Sequence, residues 1–311
     1  MYLTHRIEEL ALRHDDARRA IGDFVLENHD HLDDFTIADI AEATFTSKPT
    51  VVRFAKTLGF SGWRDFLRAF MQEERRRERN RTAVDVNLPF TAENTDEQII
   101  QAIGDLSAEA IADTFALLDR GALKRAVLYL QRATSVAVFG IAPNSFVADL
   151  FCRKLLSIGK QAHTVPDGEY GITARSLGPD DLAVVISYSG DNPNANPLRQ
   201  IPTLMNRRVM VIGLTSAGHN YLRETVPCTF TISSHEHLYA KVANFATEES
   251  INYILNALFA CLFARDYERN LAYRIEGARQ LEDERKVSLE ELRAARPLPR
   301  ASFREVPRPR P

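Results

Sequence analysis

Apolar residues recur at helical spacing in two short segments near the N-terminus, within residues 36–66. The spacing predicts two short helices joined by a tight connection, with a further helix behind Gly59 and Gly62. The apolar positions that carry this pattern are Ile37, Ile40, Ala41, Val51, Val52, Ala55 and Leu58.

The second helix has the composition of a surface that enters a DNA groove. Ser47 is a good N-cap residue, and Pro49 falls in the first turn, where a missing N–H costs little. An amphipathic helix with a short polar and basic N-terminal face is what a helix-turn-helix places in the major groove. Periodicity alone would favour an ordinary helical hairpin with a solvated face. The residues left for the exposed side are Lys48, Thr50, Arg53 and Lys56.

The distribution of charge separates these two interpretations. Residues 1–43 contain 4 Arg and Lys against 11 Asp and Glu, a net of −7. Residues 44–81 contain 10 Arg and Lys against 4 Asp and Glu, a net of +6. The whole-chain net charge of −3 conceals this difference. Basic residues therefore concentrate in the second helix and the segment after it, as binding to DNA phosphates requires.

Short apolar strands alternate with helices in the middle of the chain. The alternation predicts a parallel sheet covered by helices on both faces, with nucleotide-type or sugar-type ligands beyond the carboxyl ends of the strands. A helix is predicted after the first strand, and a long helix over 244–263. The predicted strands are 135–139, 161–165, 182–187, 209–214 and 228–232.

Two of those strand ends carry polar loops. Gly140 closes the first strand and leads to Asn144 and Ser145 at the start of a helix. The third strand runs into Ser187-Tyr188-Ser189-Gly190-Asp191-Asn192. Hydroxyls, backbone N–H groups and a helix N-terminus together hold an anion without a lysine. An ordinary turn uses the same residue types, but two such loops at neighbouring strand ends favour a ligand site.

Length and composition fit two domains plus tails. The chain has 311 residues, and 45% of them are hydrophobic, which suffices for real cores. No apolar run approaches a membrane span, and the N-terminus lacks the apolar stretch of a signal peptide. Three widely spaced cysteines form no CxxC pair and are expected to be reduced core residues of a cytoplasmic protein: Cys152, Cys228 and Cys261.

A linker is expected near residues 71–95, whose first half continues a charged helix. Its arginines either rest on DNA phosphates or belong to a solvated helix in which Glu73, Glu74 and Glu78 are local partners, and the second interpretation is favoured. The segment 285–311 is expected to be a disordered basic tail that adds at most nonspecific DNA affinity. The arginines of the linker are Arg75, Arg76, Arg77, Arg79 and Arg81.

The string TSKPTVVRFAKTLGFSGWRDF at residues 46–66 resembles the helix-turn-helix of the RpiR/MurR family of bacterial transcriptional regulators. The family pattern is V-S-x-x-T-V-x-R-F-x-x-x-L-G-F-x-G-[FY]-x-x-F. Trp63 replaces the usual aromatic residue, and Thr46 takes the place of a small apolar one. The matched positions are Ser47, Thr50, Val51, Arg53, Phe54, Leu58, Gly59, Phe60, Gly62 and Phe66.

The middle of the chain resembles the SIS (sugar isomerase) domain that forms the C-terminal half of these regulators. Its S-x-S-G-x-T phosphate loop corresponds to the polar loop after the third strand, which implies that Ser187 and Ser189 bond a sugar phosphate. Asn192 takes the threonine position. In the earlier G-x-G-x-S loop, Asn144 takes the serine position with Ser145 beside it. Both departures exchange a hydroxyl for a longer carboxamide, which still donates and accepts hydrogen bonds.

The predicted fold is therefore multi-domain, with an all-α helix-turn-helix domain and an α/β SIS domain whose central parallel sheet is flanked by helices. The resemblance implies a DNA-binding transcriptional regulator of carbohydrate metabolism genes, neither an enzyme nor dependent on a cofactor. Its partners would be double-stranded DNA with a palindromic operator, a sugar phosphate effector, and further copies of the chain in a homodimer or homotetramer. The expected boundaries are 1–80 for the DNA-binding domain, 81–105 for the linker, 106–275 for the SIS domain and 276–311 for the tail.

The two resemblances together imply the site residues. Lys48, Thr50 and Arg53 would approach base edges, with Lys56 and Arg64 nearer to phosphates, and Ser47 completes the DNA-binding set. The expected ligand-binding residues are Gly140, Asn144, Ser145, Ser187, Ser189, Gly190 and Asn192.

Two alternatives stay open at this point. A sugar-phosphate isomerase would use Glu236, His235 or Glu248 as acid and base, but no specific constellation emerges and the helix-turn-helix would be surplus. His235 and His237 flank Glu236 on a possible strand edge, without further metal ligands at suitable spacing. A regulator that has lost effector binding is the other alternative, because of the two asparagine substitutions.

Overall fold

The computed structural model describes residues 3–13, 16–79, 84–233, 236–237 and 239–285. The N-terminal helices are α1 (Leu3–Arg13), α2 (Ala17–Glu27), α3 (Ile37–Ala43), α4 (Lys48–Thr57) and α5 (Trp63–Arg79). The later helices are α6 (Asp96–Leu117), α7 (Arg120–Arg132), α8 (Asn144–Leu156), α9 (Tyr170–Ser176), α10 (Ile201–Asn206), α11 (Tyr221–Thr225), α12 (Phe245–Arg265) and α13 (Tyr267–Arg285). The strands are β1 (Ser135–Gly140), β2 (Gln161–Thr164), β3 (Leu182–Ile186), β4 (Met210–Ser216) and β5 (Thr229–Ile232).

The predicted pair of short helices is present as α3 and α4. Thr36 caps α3 in a capping box, in which its hydroxyl accepts from the Asp39 N–H and the Asp39 carboxylate accepts from the Thr36 N–H. Both helices bury their apolar faces in one core with α1, α2 and α5. Aromatic rings dominate that core, and Phe66 of α5 lies edge-on to Phe54 of α4 with ring centroids 6.1 Å apart. Packing against this core holds the exposed face of α4 in a defined orientation.

The second half of the chain is built on a five-stranded parallel sheet in the order β2-β1-β3-β4-β5. Successive side chains of β1 enter different cores, since Val136 and Val138 face α7, α8 and α12 while Ala137 and Phe139 face α9, α10 and α11. A strand covered on both faces needs apolar residues at every position, which explains its unbroken apolar run. The prediction of a parallel sheet flanked by helices is therefore confirmed.

Helix α6 packs along α12 and joins the sheet domain through buried polar contacts. Thr114 donates its hydroxyl to Ser250 Oγ at 2.8 Å, and the Ser233 N–H donates to the same oxygen at 2.8 Å. Because α6 is Asp96–Leu117, it begins inside the predicted linker of 81–105, and α13 continues past residue 275 to Arg285. Residues 286–311, most of the predicted tail, lie outside the described residues. The domain boundaries stay a prediction.

The cysteines are free thiols, as the sequence predicted. Cys152 and Cys228 are buried, whereas Cys261 is only partly buried because it lies on the outer side of α12. Within the described residues, no helix combines the length and the apolar character needed to cross a membrane.

Candidate functional site

The exposed face of α4 carries a chain of hydrogen-bonded side chains. Ser47 Oγ and Thr50 Oγ1 are 2.8 Å apart, and Arg53 donates from Nη2 to Thr50 Oγ1 at 3.1 Å. Each residue lies one turn from the next, so the three line one side of the helix. Thr50 thereby helps to hold the guanidinium along the helix face. Lys48, Lys56 and Arg64 are exposed as well.

Ser47 differs from its prediction in one respect. It occupies the N-cap position of α4 with an extended backbone, φ −110° and ψ 151°, but its side chain makes no capping hydrogen bond. The predicted N-cap position is confirmed, but the Ser47 hydroxyl bonds to Thr50 Oγ1 instead of to a backbone N–H. The hydroxyl consequently belongs to the exposed polar face of the helix.

Two acidic residues near the end of α5 have partners elsewhere in the N-terminal domain. Glu73 accepts a hydrogen bond from the Leu3 N–H at 2.7 Å, and Glu74 pairs with His29 at 3.1 Å. Glu74 is 4% exposed, so the prediction of a solvated helix is wrong at this residue. Arg75 instead pairs with Asp33 at 3.2 Å, while Arg81 lies outside the described residues.

The two polar loops of the sheet domain lie side by side. β1 and β3 are hydrogen-bonded neighbours, and Gly140 at the end of β1 is in register with Ile186 at the end of β3. Asn144 and Ser145 open α8, whose first-turn N–H groups point toward the same edge of the sheet. The Tyr170 hydroxyl is within 3.1 Å of the Gly140 carbonyl oxygen and supports this strand end. Donors from both loops therefore converge beyond the carboxyl ends of β1 and β3.

The serine loop after β3 is supported by the end of β4 and by α11, which follows it. The Gly190 N–H donates to Ser187 Oγ at 3.3 Å, and the Leu222 N–H donates to the Gly190 carbonyl at 2.9 Å. Thr215 donates its hydroxyl to the Tyr188 carbonyl at 3.2 Å. The loop is thus preorganised by contacts on its inner side. Sequence reasoning missed this support, although Thr215 lies near the carboxyl end of β4, where the strand-end rule points.

Asn192 uses part of its side chain within the loop. Its Oδ1 accepts a hydrogen bond from the Asn194 N–H at 3.1 Å, an Asx turn. Because the oxygen is engaged, a ligand at this position would meet the Nδ2 donor. The assignment of the loop residues to a ligand, like that of the α4 residues to DNA, stays a prediction.

Glu236, considered above as an acid or base, caps a helix. Its Oε1 accepts from the Ala246 N–H at 2.6 Å, and its Oε2 accepts from the Thr247 hydroxyl at 2.7 Å and lies 3.5 Å from Lys241 Nζ. These contacts fix the carboxylate at the N-terminus of α12. Burial, followed by the carboxylates of Glu236 and Glu249, raises the pKa of Glu248 above its usual value.

His237 follows Glu236 and contacts the segment between α5 and α6. His235 lies outside the described residues, and the His237 N–H donates to Asn87 Oδ1 at 2.5 Å. Past β5, neither Glu236 nor His237 lies in a strand, so the predicted strand edge is wrong at these two residues. In the part of the chain that the structure covers, no three His, Cys, Asp or Glu residues form a metal-binding group.

Residues 1–76 match the helix-turn-helix domain of the rpiR family. The chain is 26% identical over 200 residues to an HTH-type transcriptional regulator of Providencia stuartii, covering 64% of this chain and 70% of that one. It is 23% identical over 283 residues to an HTH-type transcriptional regulator of Caldanaerobacter subterraneus, covering 91% of this chain and 97% of that one. The protein thus has a DNA-binding helix-turn-helix domain. This domain, at residues 1–76, is of the RpiR type.

Solved structures share the fold of the chain. The NanR protein of Vibrio vulnificus, complexed with ManNAc-6P, superimposes with a TM-score of 0.57 at 22% identity, covering 90% of this chain and 98% of that one. The sugar isomerase domain of an RpiR transcription factor from Sphaerobacter thermophilus superimposes with a TM-score of 0.51 at 20% identity, covering 58% of this chain and 99% of that one. The sheet domain therefore has the SIS fold, as predicted.

Proposed function

We propose that this regulator controls carbohydrate metabolism genes, and that a sugar phosphate bound at the carboxyl edge of the sheet modulates its binding to DNA. The observation that carries the proposal is the adjacency of the two polar loops, because Gly140 and Ile186 are register partners at the ends of β1 and β3. Adjacent loops at a helix N-terminus suit a phosphate group.

In the proposed complex the phosphate accepts hydrogen bonds from Ser187 and Ser189 and from the first turn of α8. A phosphate has several acceptor oxygens, and charge-assisted hydrogen bonds to it are stronger than neutral ones. Asn144 and Ser145 lie in that turn, and Asn192 offers its amide nitrogen. The SIS fold shared with a NanR protein complexed with ManNAc-6P supports a sugar phosphate as the class of ligand.

The hydrogen bonds of Glu236 favour a regulatory rather than an enzymatic role. A general base has to reach a substrate C–H, and the Glu236 carboxylate instead receives donors from Ala246 and Thr247. We therefore propose that the chain binds its sugar phosphate without turning it over.

The proposed route from the ligand site to the DNA-binding domain runs through Asn87. Its Oδ1 accepts from the His237 N–H, and its carbonyl accepts from the Val242 N–H at 2.9 Å. Asn87 follows α5 in the chain, whereas His237 and Val242 belong to the loop that leads into α12. A ligand that favours one position of this loop would shift the placement of the DNA-binding domain.

Two-fold pairing of chains would present two copies of α4 to a palindromic operator. Exposed apolar side chains on α6 and α8 support a homodimer or homotetramer, since such residues are usually covered by a partner. They are Ile100, Ile111, Phe115, Phe146 and Leu150.

Calorimetric titration of the full chain with ManNAc-6P and a panel of aldose and ketose phosphates tests the ligand. We expect one of these compounds to bind, and Ser189→Ala to weaken binding by about 10-fold or more, since a hydrogen bond to a charged group is lost. Ser176→Ala is the matched control, because the Ser176 hydroxyl bonds to the Thr173 carbonyl on the surface of α9. Unchanged binding by Ser189→Ala would show that the ligand lies elsewhere.

A further inference from the structure

The turn between α3 and α4 holds an aromatic residue in an unusual backbone conformation. Phe45 has φ of 52° and is 98% exposed. The Thr46 N–H donates to the Ala41 carbonyl at 2.8 Å and the Phe45 N–H to the Glu42 carbonyl at 3.1 Å. These bonds form a Schellman motif, in which the left-handed position normally belongs to glycine. A bulky side chain at this φ is strained.

Other helices among the described residues end in the same way, and two of them provide a comparison. At the end of α4 the left-handed position is Gly59, with φ of 85°, and at the end of α10 it is Arg208, with φ of 58°. A cation beside a helix C-terminus is favoured by the helix dipole, which accounts for Arg208. Phe45 has neither the freedom of glycine nor a charge, and its exposed ring gains nothing from burial. Local energetics therefore do not explain this residue.

The turn presents the Phe45 ring at the N-terminal end of α4. Ser47, the first of the hydrogen-bonded side chains on the exposed face, follows two residues later. The Thr44 hydroxyl donates to the Ile40 carbonyl at 2.6 Å, and Thr44 Oγ1 lies 3.0 Å from Thr46 Oγ1. Hydrogen bonds therefore stabilise the turn on both sides of Phe45. The ring therefore belongs to the surface expected to face DNA.

We propose that Phe45 is a specificity-determining residue whose ring contacts the C5-methyl group of a thymine in the operator. The thymine methyl is the apolar feature that base pairs present in the major groove. Among residues 16–75, Phe45 is the one exposed large hydrophobic side chain. A protein partner would require a larger apolar patch, whereas a single methyl group requires one ring. The inference rests on the DNA binding by α4 proposed above.

The substitution Phe45→Gly separates a DNA contact from a structural role, because the two effects have opposite signs. Removal of the strain should raise the Tm of the N-terminal domain by roughly 2 to 5 °C. Loss of the ring should weaken binding to the promoter duplex selected by the wild type by about 10-fold. Arg208→Gly is the matched control, since it relieves the same strain and should leave DNA affinity unchanged.

Duplexes in which single thymines are replaced by deoxyuracil locate the contact. At one position, loss of the methyl should weaken wild-type binding about 3- to 10-fold and leave Phe45→Gly binding unaffected. The proposal is overturned if Phe45→Gly binds like the wild type, if both proteins respond equally to every deoxyuracil, or if only self-association changes. Arg53→Ala is measured in parallel. If the wild type shows no selective binding, DNA recognition itself is refuted. If Arg53→Ala loses selective binding while Phe45→Gly keeps it, only the role of Phe45 is refuted.

Discussion

Gly190 lies directly against Thr215, and a Cβ built on Gly190 would come within 2.3 Å of Thr215 Oγ1. The same Cβ would be 2.6 Å from Asn220 Oδ1, and Gly190 has φ of 65°. Both the space and the backbone conformation therefore require glycine at this point of the serine loop.

Gly190→Ala should consequently displace the serine loop and abolish the response to sugar phosphate while DNA binding persists. The combined strain and clash should cost about 2 to 4 kcal/mol of the free energy of unfolding of the SIS domain. Gly168→Ala is the control, because Gly168 has φ of 89° but nothing within 4 Å of the added Cβ. Calorimetric titration and thermal unfolding measure the two effects, and a normal ligand affinity in Gly190→Ala would contradict the position of the site.

The hydroxyl of Thr50 should matter for DNA binding through its bond to Arg53. Thr50→Val keeps the shape of the side chain but removes the acceptor, so selective affinity should fall about 5-fold. Arg53→Ala should abolish selective binding. Thr57→Val is the control on the same helix, since the Thr57 hydroxyl donates to the Arg53 carbonyl at 3.0 Å. Gel-shift titration compares the variants, and equal losses in the two valine variants would refute the proposed role of Thr50.

The N-terminal domain should become less stable as the pH rises from about 4.5 to 7. Burial, with a smaller contribution from Glu74, raises the pKa of Glu73 from 4.5 to about 7. The folded domain therefore binds more protons than the unfolded chain in this range, and stability is lost with rising pH. Glu73→Gln keeps an acceptor for the Leu3 N–H and should remove this slope, a gain of about 1 to 3 kcal/mol at neutral pH.

Trp63 provides the readout for that experiment. It is the single tryptophan of the chain and is 4% exposed in the N-terminal core, so its fluorescence reports the unfolding of this domain. Asp113→Asn is the control, because burial also raises the pKa of Asp113 but the residue lies in α6. If the unfolding midpoint followed by Trp63 has the same pH slope in Glu73→Gln as in the wild type, the role of Glu73 is refuted.

The contact made by Asn87 should couple the two domains. Asn87→Ala removes the acceptor for the His237 N–H, so DNA binding and sugar-phosphate binding should each persist while the ligand no longer changes DNA affinity. Asn94→Ala is the control, since Asn94 Oδ1 accepts from the Thr91 N–H within the same segment. A gel shift with and without the sugar phosphate measures the change in DNA affinity. A change as large in Asn87→Ala as in the wild type would exclude this route.

The elements set by local periodicity could be predicted from the sequence. The spacing of Ile40, Val51 and Ala55 placed α3 and α4, and the apolar runs placed the five strands with ends within about two residues. The adjacency of the two polar loops followed from the rule that parallel strands end at one edge.

The contacts between distant segments could not be predicted in this way. Asn87 and His237 are 150 residues apart, and no local pattern links them. Glu73 and Glu74 belong to a charged run whose composition predicts a solvated helix, and only the structure shows their contacts with Leu3 and His29. Phe45 breaks the rule for a left-handed position, and such exceptions emerge only from the backbone conformation.

Gel-shift titration of the full chain on DNA from its own promoter region, across a salt series and with or without each sugar phosphate, tests the regulatory function most directly. We expect sequence-selective binding that falls steeply with salt, because phosphate contacts release counterions, and that changes with one sugar phosphate. Selective binding that no sugar phosphate alters would contradict effector control, and the absence of selective binding under every condition would contradict DNA recognition by α4.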